Sequence, residues 1–440
     1  MSGAVVVGAL LFGAAPTAVA DQDRDDQWPL KAFDATSIWK ESTGKGVTVA
    51  VIDDPVNGSH PDLTGNVLPG KSFIDGGLGD HKSSGDHGTG MASLIAGHGH
   101  GSGNADGVMG LAPEARILPV GRPQVGAGVD NSGPGEWIRY AVDHGASVIN
   151  MSIGPSYLTE SDRNALAYAA QKDVLMVVAS GNDGEGKLGD LAASPGVVAV
   201  GAVDKTGQVW SKSNSGRQLM LSAPGVEITS ASSRAGQYRL ANGTSDATAY
   251  VSAAAALLRS KFPDLSAGQI TNRLVKSAGL PPGETGSALP DPHYGYGFIQ
   301  PLKALTADIP AGSKNGPLKT PKAEPTPPAS GDQADERVDD GLGAGAMVGI
   351  AVGVLALASI VVIVVVVSRK KDGRNGPPPG GPGGFGGSGG PGVAPQQPGP
   401  YHQAGSYPQQ GVYQQPGTHQ QYGAPGEYPA VPPVQPPGWQ

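Results

Sequence analysis

Val49-Ala50-Val51-Ile52-Asp53 sets four apolar residues, three of them β-branched, directly before a carboxylate. A run this short and uniform has the character of a strand buried on both faces of a parallel sheet. The run itself extends over residues 47–52, and similar ones recur at 116–120, 147–151, 174–179 and 197–201. Between them, residues 136–144 and 160–172 have helical length, with Gly145 placed where a C′ glycine ends a helix. Strands alternating with helices predict an α/β domain, a doubly wound parallel sheet with helices on both faces. Asp53 then falls at the C-terminal edge of a strand, where such sheets carry functional groups, although Asp also ends strands simply by starting turns.

Working outward, the 440 residues include no Cys, 70 Gly and 40 Pro, and 30 Lys+Arg against 38 Asp+Glu leave a formal net charge of -8. Without cysteine, disulfide scaffolds and thiolate-held metal sites are excluded. With no basic patch able to neutralise several phosphates, nucleic acid is not an expected partner. Residues 1–20 have an apolar run, Pro16 and then Ala18-Val19-Ala20, which reads as a signal peptide although its start carries no Lys or Arg. Residues 21–309 have globular composition and 310–343 read as a Pro-rich, semi-rigid linker. Residues 344–368 read as a transmembrane helix, since 344–367 carry no charge and are long enough to cross a hydrocarbon core of about 30 Å. Arg369, Lys370, Lys371 and Arg374 follow it, which predicts a type I topology with the C-terminus in the cytoplasm. Residues 369–440, rich in Gly, Pro, Gln and Tyr, are expected to be disordered.

Three further blocks carry chemistry. Asp86-His87-Gly88-Thr89-Gly90 precedes a small-residue helix, Ala179-Ser180-Gly181-Asn182-Asp183-Gly184 follows a strand, and Asn242-Gly243-Thr244-Ser245 opens an Ala-rich helix. Each has an ordinary reading, because a lone His is more often structural and a Ser at a helix start is often an N-cap. Together they meet a joint requirement. A serine nucleophile needs a base, the base needs an orienting carboxylate, and a tetrahedral intermediate needs hydrogen-bond donors.

Through VAVID, DHGTG, ASGNDG and NGTS, the chain resembles the subtilisin-like serine proteases (subtilases) over almost the whole of residues 21–309. Within them it is most similar to the mycosins, membrane-anchored proteases of type VII secretion systems. That finer likeness rests on Gln27-Trp28, Leu30, Ile38-Trp39 and Thr43-Gly44-Lys45-Gly46-Val47, a short N-terminal extension, and on the Pro-rich segment and apolar span. The resemblance implies Ser245 as nucleophile, His87 as general base and then general acid, and Asp53 as the carboxylate that fixes the imidazole. It implies Asn182 in the oxyanion hole and Ser152-Ile153-Gly154 as the edge that pairs with an extended polypeptide substrate. The implied enzyme is an extracytoplasmic, membrane-tethered serine endopeptidase of secreted or envelope proteins, with type VII membrane components as partners. Its mechanism demands no metal or cofactor, and no acidic cluster is assigned to calcium.

Several residues depart from the family pattern. Asp54-Pro55 follows Asp53, so the turn there is expected to differ and a second carboxylate lies beside the first. Asp246 follows Ser245, where a helix macrodipole favours it but a developing oxyanion would not. Ala249 stands where a proline is usual. With no disulfide, the N-terminal extension is expected to be held by packing alone, through Trp28, Leu30 and Trp39. Asp54-Pro55 and Asp246 also support an alternative, a structural or binding component of a secretion complex whose peptidase site is weakly active or dispensable.

Overall fold

The computed structural model describes residues 22–80, 85–123, 133–154, 157–281, 283–284 and 288–323. The expected signal peptide, membrane helix and tail lie outside the described residues, among which no helix is long and apolar enough to cross a membrane. Three short helices lead: α1 (Gln22–Asp25), α2 (Trp28–Phe33) and α3 (Ala35–Glu41). The first half of the sheet region is β1 (Thr48–Asp53), β2 (Lys71–Ser72), α4 (His87–Ala96), β3 (His98–His100), β4 (Asp106–Met109), β5 (Arg116–Gly121) and α5 (Pro134–Asp143). Then come β6 (Val148–Met151), α6 (Glu160–Gln171), β7 (Leu175–Ala179), α7 (Asp190–Ala193), β8 (Val197–Val203) and β9 (Leu219–Pro224). The hairpin β10 (Ile228–Ala231) and β11 (Tyr238–Ala241) leads into α8 (Thr244–Lys261), α9 (Ala267–Ser277) and α10 (Pro301–Thr306).

Seven parallel strands form one sheet in the order β2-β5-β1-β6-β7-β8-β9. Every strand read from the sequence is present, within two residues at most ends. The pleat explains why the runs look uniformly apolar: Val49 and Val51 face α4 and α8, while Ala50 and Ile52 face α5 and α6. Both faces are covered, so no position needs a polar residue. The helix expected at 136–144 starts earlier, at Pro134, whose missing N–H costs nothing at a helix start. It ends as expected: Gly145, at φ +82°, donates to Val142 O at 3.2 Å and Ala146 donates to Ala141 O at 3.1 Å.

The sheet changes direction around β1, which has β5 on one side and β6 on the other. Such a switch point leaves a crevice outside the carboxyl ends of the strands, and Asp53 is the last residue of β1. Behind it runs α8, buried from Thr244 to Leu258 with apolar and small residues on all sides, the composition of a helix inside a core. Removing Leu257, fully buried on α8, would cost about 2–5 kcal/mol.

The chain ends differ from the sequence expectation. The N-terminal extension is held by polar contacts as well as by packing. Arg24 donates to the carbonyls of Gly107, Asn104 and Asp106 at 2.7, 3.1 and 3.0 Å. Gln27 pairs with both backbone groups of Met109 at 2.8 Å, and the indoles of Trp28 and Trp39 donate to Val226 O and Leu111 O at 3.0 Å. At the other end, residues 310–321 do not leave the domain as a spacer. Asn272 Nδ2 donates to Pro310 O at 3.0 Å, Ser266 Oγ to Lys314 O at 2.5 Å, and Leu318 packs on the core. The strap is held mainly through its own carbonyls, and at Gly268 its backbone comes so close that a Cβ would lie 2.2 Å from Asn315 C. Side-chain periodicity therefore carried no sign of it.

Candidate active site

His87 is the first residue of α4, and its Nδ1 lies 2.8 and 2.9 Å from the two carboxylate oxygens of Asp53. The carboxylate is buried, with a side-chain exposure of 1%, whereas the imidazole is 35% exposed. An Nδ1–H donated to Asp53 leaves the Nε2 lone pair to act as a base. Asp53 also raises the His87 pKa above the ordinary 6.5 by favouring the imidazolium, against burial, which opposes it.

Local sequence explains this approach of α4 to the end of β1. A Cβ at Gly88 would lie 2.1 Å from Asp54 O, so only glycine lets the first turn sit on that backbone. Asp86, just before, is tied by Ser233 N–H at 2.8 Å, Ser233 Oγ at 2.6 Å and Ser232 Oγ at 2.9 Å. These bonds, led by the Ser233 hydroxyl, hold its carboxyl below the usual range. At the unusual Asp54-Pro55 step, Asp54 N–H donates to Asp53 Oδ1 at 2.7 Å, and a Cβ built on Gly85 would lie 2.3 Å from Asp54 Oδ2. The second carboxylate thus faces the Gly85 backbone.

Ser245 is the second residue of α8 and 6% exposed. Its carbonyl accepts from Ser152 Oγ at 3.2 Å, and that hydroxyl in turn accepts from Asn150 Nδ2 at 3.1 Å. Ser252 Oγ, two turns along α8, donates to Asn150 Oδ1 at 2.9 Å. This buried chain ties α8 to the central strand β6. Ser152 thus turns its side chain inward, Ile153 is 7% exposed, and Gly154 lies exposed at the end of the described segment.

Asn182, in the turn after β7, accepts at Oδ1 from Thr244 N–H at 2.9 Å and Thr244 Oγ at 2.8 Å. With Oδ1 occupied, Nδ2 is the group left to donate. A Cβ placed on Gly243 would lie 3.5 Å from Ser245 N and 3.7 Å from Asn182 Nδ2, so both donors border the same small space. Thr244 is the residue that orients Asn182. It stands in the quoted NGTS block, but its role was not legible there because its partner is 62 residues away.

Asp53 and His87 are therefore in contact, and Asn182 adjoins the α8 start that bears Ser245. Among the described residues no hydrogen bond joins Ser245 Oγ to His87, a bond often long in ligand-free sites. Arg239 on β11, at 3.2 Å from Asp246 Oδ1, was not singled out by the sequence at all. No group of three or more His, Cys, Asp or Glu among the described residues is arranged to hold a metal ion.

The profile of the subtilase family matches residues 44–297. A thermophilic serine proteinase of Bacillus sp. (strain AK1) is 38% identical over 230 residues, covering 51% of this chain and 55% of that protein. Mycosin-2 of Mycobacterium tuberculosis is 35% identical over 322 residues, covering 58% of this chain and 56% of mycosin-2. The chain thus spans little more than half the length of either. The crystal structure of MycP1 from the ESX-1 type VII secretion system superposes with a TM-score of 0.57 at 30% identity, over 66% of this chain and 89% of that one. Since the matched residues run through the strand that ends on Asp53, the helix that starts at His87 and the helix that bears Ser245, the chain belongs to the subtilase family and is similar to its mycosins in sequence and in structure.

Proposed function

We propose that the chain is a serine endopeptidase in which Ser245 attacks the scissile carbonyl of a polypeptide. The observation that carries this reading is the Asp53 clasp on His87 Nδ1, at 2.8 and 2.9 Å, at the head of a helix packed against the one bearing Ser245. His87 Nε2 takes the Ser245 proton as the Oγ–C bond forms, and Asp53 stabilises the resulting imidazolium. The carbonyl oxygen, now an oxyanion, is met by Ser245 N–H and Asn182 Nδ2. His87 then passes its proton to the departing amine, leaving an acyl-enzyme that water hydrolyses by the same steps in reverse. Ser152, Ile153 and Gly154 offer backbone groups to an extended substrate.

Its setting is proposed to be the outer face of a membrane. Residues 1–20 direct export, 344–368 anchor the chain and 369–440 remain cytoplasmic, in the single-pass type I sense. Substrates would be secreted or envelope polypeptides, and the likeness to MycP1 supports association with type VII secretion membrane components.

The test is labelling of the full-length chain with a fluorophosphonate, which reacts with activated serines. Labelling that vanishes in Ser245→Ala is expected. A folded protein that takes no label would overturn the peptidase reading and favour a scaffolding role, for which Asp246 beside the nucleophile is the supporting feature.

A further inference from the structure

Asp246, directly after the proposed nucleophile, has more around it than a helix start requires. It is 2% exposed, and Arg239 Nη2 lies 3.2 Å from its Oδ1. Arg239 is itself fixed, with Nε donating to Ser230 Oγ at 3.0 Å across the β10–β11 hairpin. Its guanidinium lies against the first turn of α4: a Cβ at Gly90 would stand 2.6 Å from Nε and 2.8 Å from Nη2. Gly90 thus leaves the space in which an arginine from a distant hairpin lies. A macrodipole preference accounts for an acidic residue at position 246, but not for the guanidinium or for the space cleared beside it.

The second oxygen of Asp246 borders the same small space as Ser245 N–H and Asn182 Nδ2. The point that a Cβ of Gly243 would take is 3.1 Å from Asp246 Oδ2, 3.5 Å from Ser245 N and 3.7 Å from Asn182 Nδ2. An uncompensated carboxylate there would repel an oxyanion and would favour the imidazolium of His87 over the neutral base. The groups that bear on it are Arg239 from β11, His87 from α4, Asp53 from β1 and, on α8 itself, Tyr250. Asp86 also feels Arg239 but is held by Ser232 and Ser233.

We propose that Arg239 is a positioning residue for catalysis, whose guanidinium holds the Asp246 carboxylate by Oδ1 and offsets its charge, so that an acidic residue can follow Ser245 without slowing it. The inference rests on the peptidase reading of Ser245. Burial is the largest influence and holds the Asp246 carboxyl above the usual carboxylate range, while Arg239 and then His87 pull it back down, so the arginine is the main group favouring the ionised form. Removing Arg239 is then harmful because Asp246 remains, and removing both is not.

The experiment measures the rate of fluorophosphonate labelling of the full-length chain from about pH 6 to 9, the range over which an imidazole loses its proton. In Arg239→Gln, labelling is expected to slow by roughly tenfold or more near neutral pH, with the acid limb moved to higher pH. In Arg239→Gln with Asp246→Asn, the rate should return to within about threefold of the starting chain, which loss of a merely structural arginine would not allow. Arg239→Lys keeps the charge in a similar place and should also stay within about threefold, so it tests the idea if the glutamine variant does not fold. A double variant as slow as Arg239→Gln alone, or a folded Arg239→Lys as slow as a loss of charge, overturns the inference. So does an Arg239→Gln that labels at the unaltered rate. Absence of label in the unaltered chain overturns the peptidase reading and this inference with it.

Discussion

Among the described residues, two aspartate–histidine pairs have similar, close geometry. Asp53 reaches His87 Nδ1 at 2.8 Å and Asp62 reaches His100 Nδ1 at 2.6 Å. Both carboxylates are buried, and the two imidazoles are 35% and 37% exposed. The surroundings separate them. On His87 bear the charges of Arg239 and of Asp246 at the start of α8. Asp62 instead spends its other oxygen on Val108 N–H at 2.9 Å, and a Cβ at Gly107 would lie 2.2 Å from Asp62 Oδ1. That carboxylate pins the β3–β4 hairpin. The two pairs thus differ in their surroundings and not in their own geometry.

The largest effects should break the comparison cleanly. His87→Ala and Ser245→Ala are expected to abolish fluorophosphonate labelling, and Asp53→Asn to slow it by about 10⁴ through the wrong tautomer. His100→Ala should label within about twofold of the unaltered rate while melting at a lower temperature, since it touches no reacting group. Equal losses at His87 and His100 would erase the distinction. Next in size is Asn182→Ala, expected to cost about 10²–10³ in rate. Thr244→Val, which removes the hydroxyl bond to Asn182 Oδ1 but keeps the backbone N–H bond, should cost less; a greater loss than Asn182→Ala would contradict the orienting role.

pH sharpens the contrast. Because Asp53 raises the His87 pKa, the rate should fall as pH drops through a value above 6.5. The attraction stabilises the fold fully below 6.5, the unfolded value, and is lost as pH rises through the higher folded pKa. His60 has the opposite sense. Its Nδ1 accepts from Asp62 N–H at 3.2 Å and its Nε2 lies 3.3 Å from Gln237 O, which sets the neutral tautomer. Burial lowers its pKa, so its contribution is present above 6.5 and is lost as pH falls toward the depressed value. Replacing His60 by Asn should therefore flatten the acid side of a melting-temperature profile while leaving the rate limb in place; a moved rate limb would couple the two regions.

The smallest expected effect is at the N-terminal extension. Trp28→Ala removes a partly buried indole and its bond to Val226 O, and should lower stability by about 1–3 kcal/mol with labelling unchanged. An unaltered melting curve would mean that Arg24 and Gln27 hold the extension without it.

Strands and helices were legible because burial on both faces of a parallel sheet leaves unbroken apolar runs, as in β1 and β8. β9 is not legible in the same way, since Leu219–Pro224 mixes Ser222 and Pro224 into its run and is recognisable only beside β8. The strap at 310–321 has the sequence of a linker for a related reason: it is held mainly by carbonyls and by glycines, which leave no period in the side chains.

The candidate residues divide in the same way. Asp53, His87, Asn182 and Ser245 are candidates already in the sequence, through the motifs VAVID, DHGTG, ASGNDG and NGTS and the resemblance to subtilases that these carry. Glycines 88 and 90 could be seen but not explained until their neighbours, Asp54 and Arg239, were in place. What sequence by itself determined was the parallel α/β sheet and the chemical inventory at its edge. Only the tertiary structure decided which of two Asp–His pairs lies on a helix packed against the one that bears Ser245, that Thr244 holds the Asn182 amide, and that Arg239 crosses from a hairpin to meet Asp246. The reason is physical: strand and helix periods are local properties of the chain, whereas a charge's partner is set by whichever residue the fold brings within a few ångströms, at any separation in sequence.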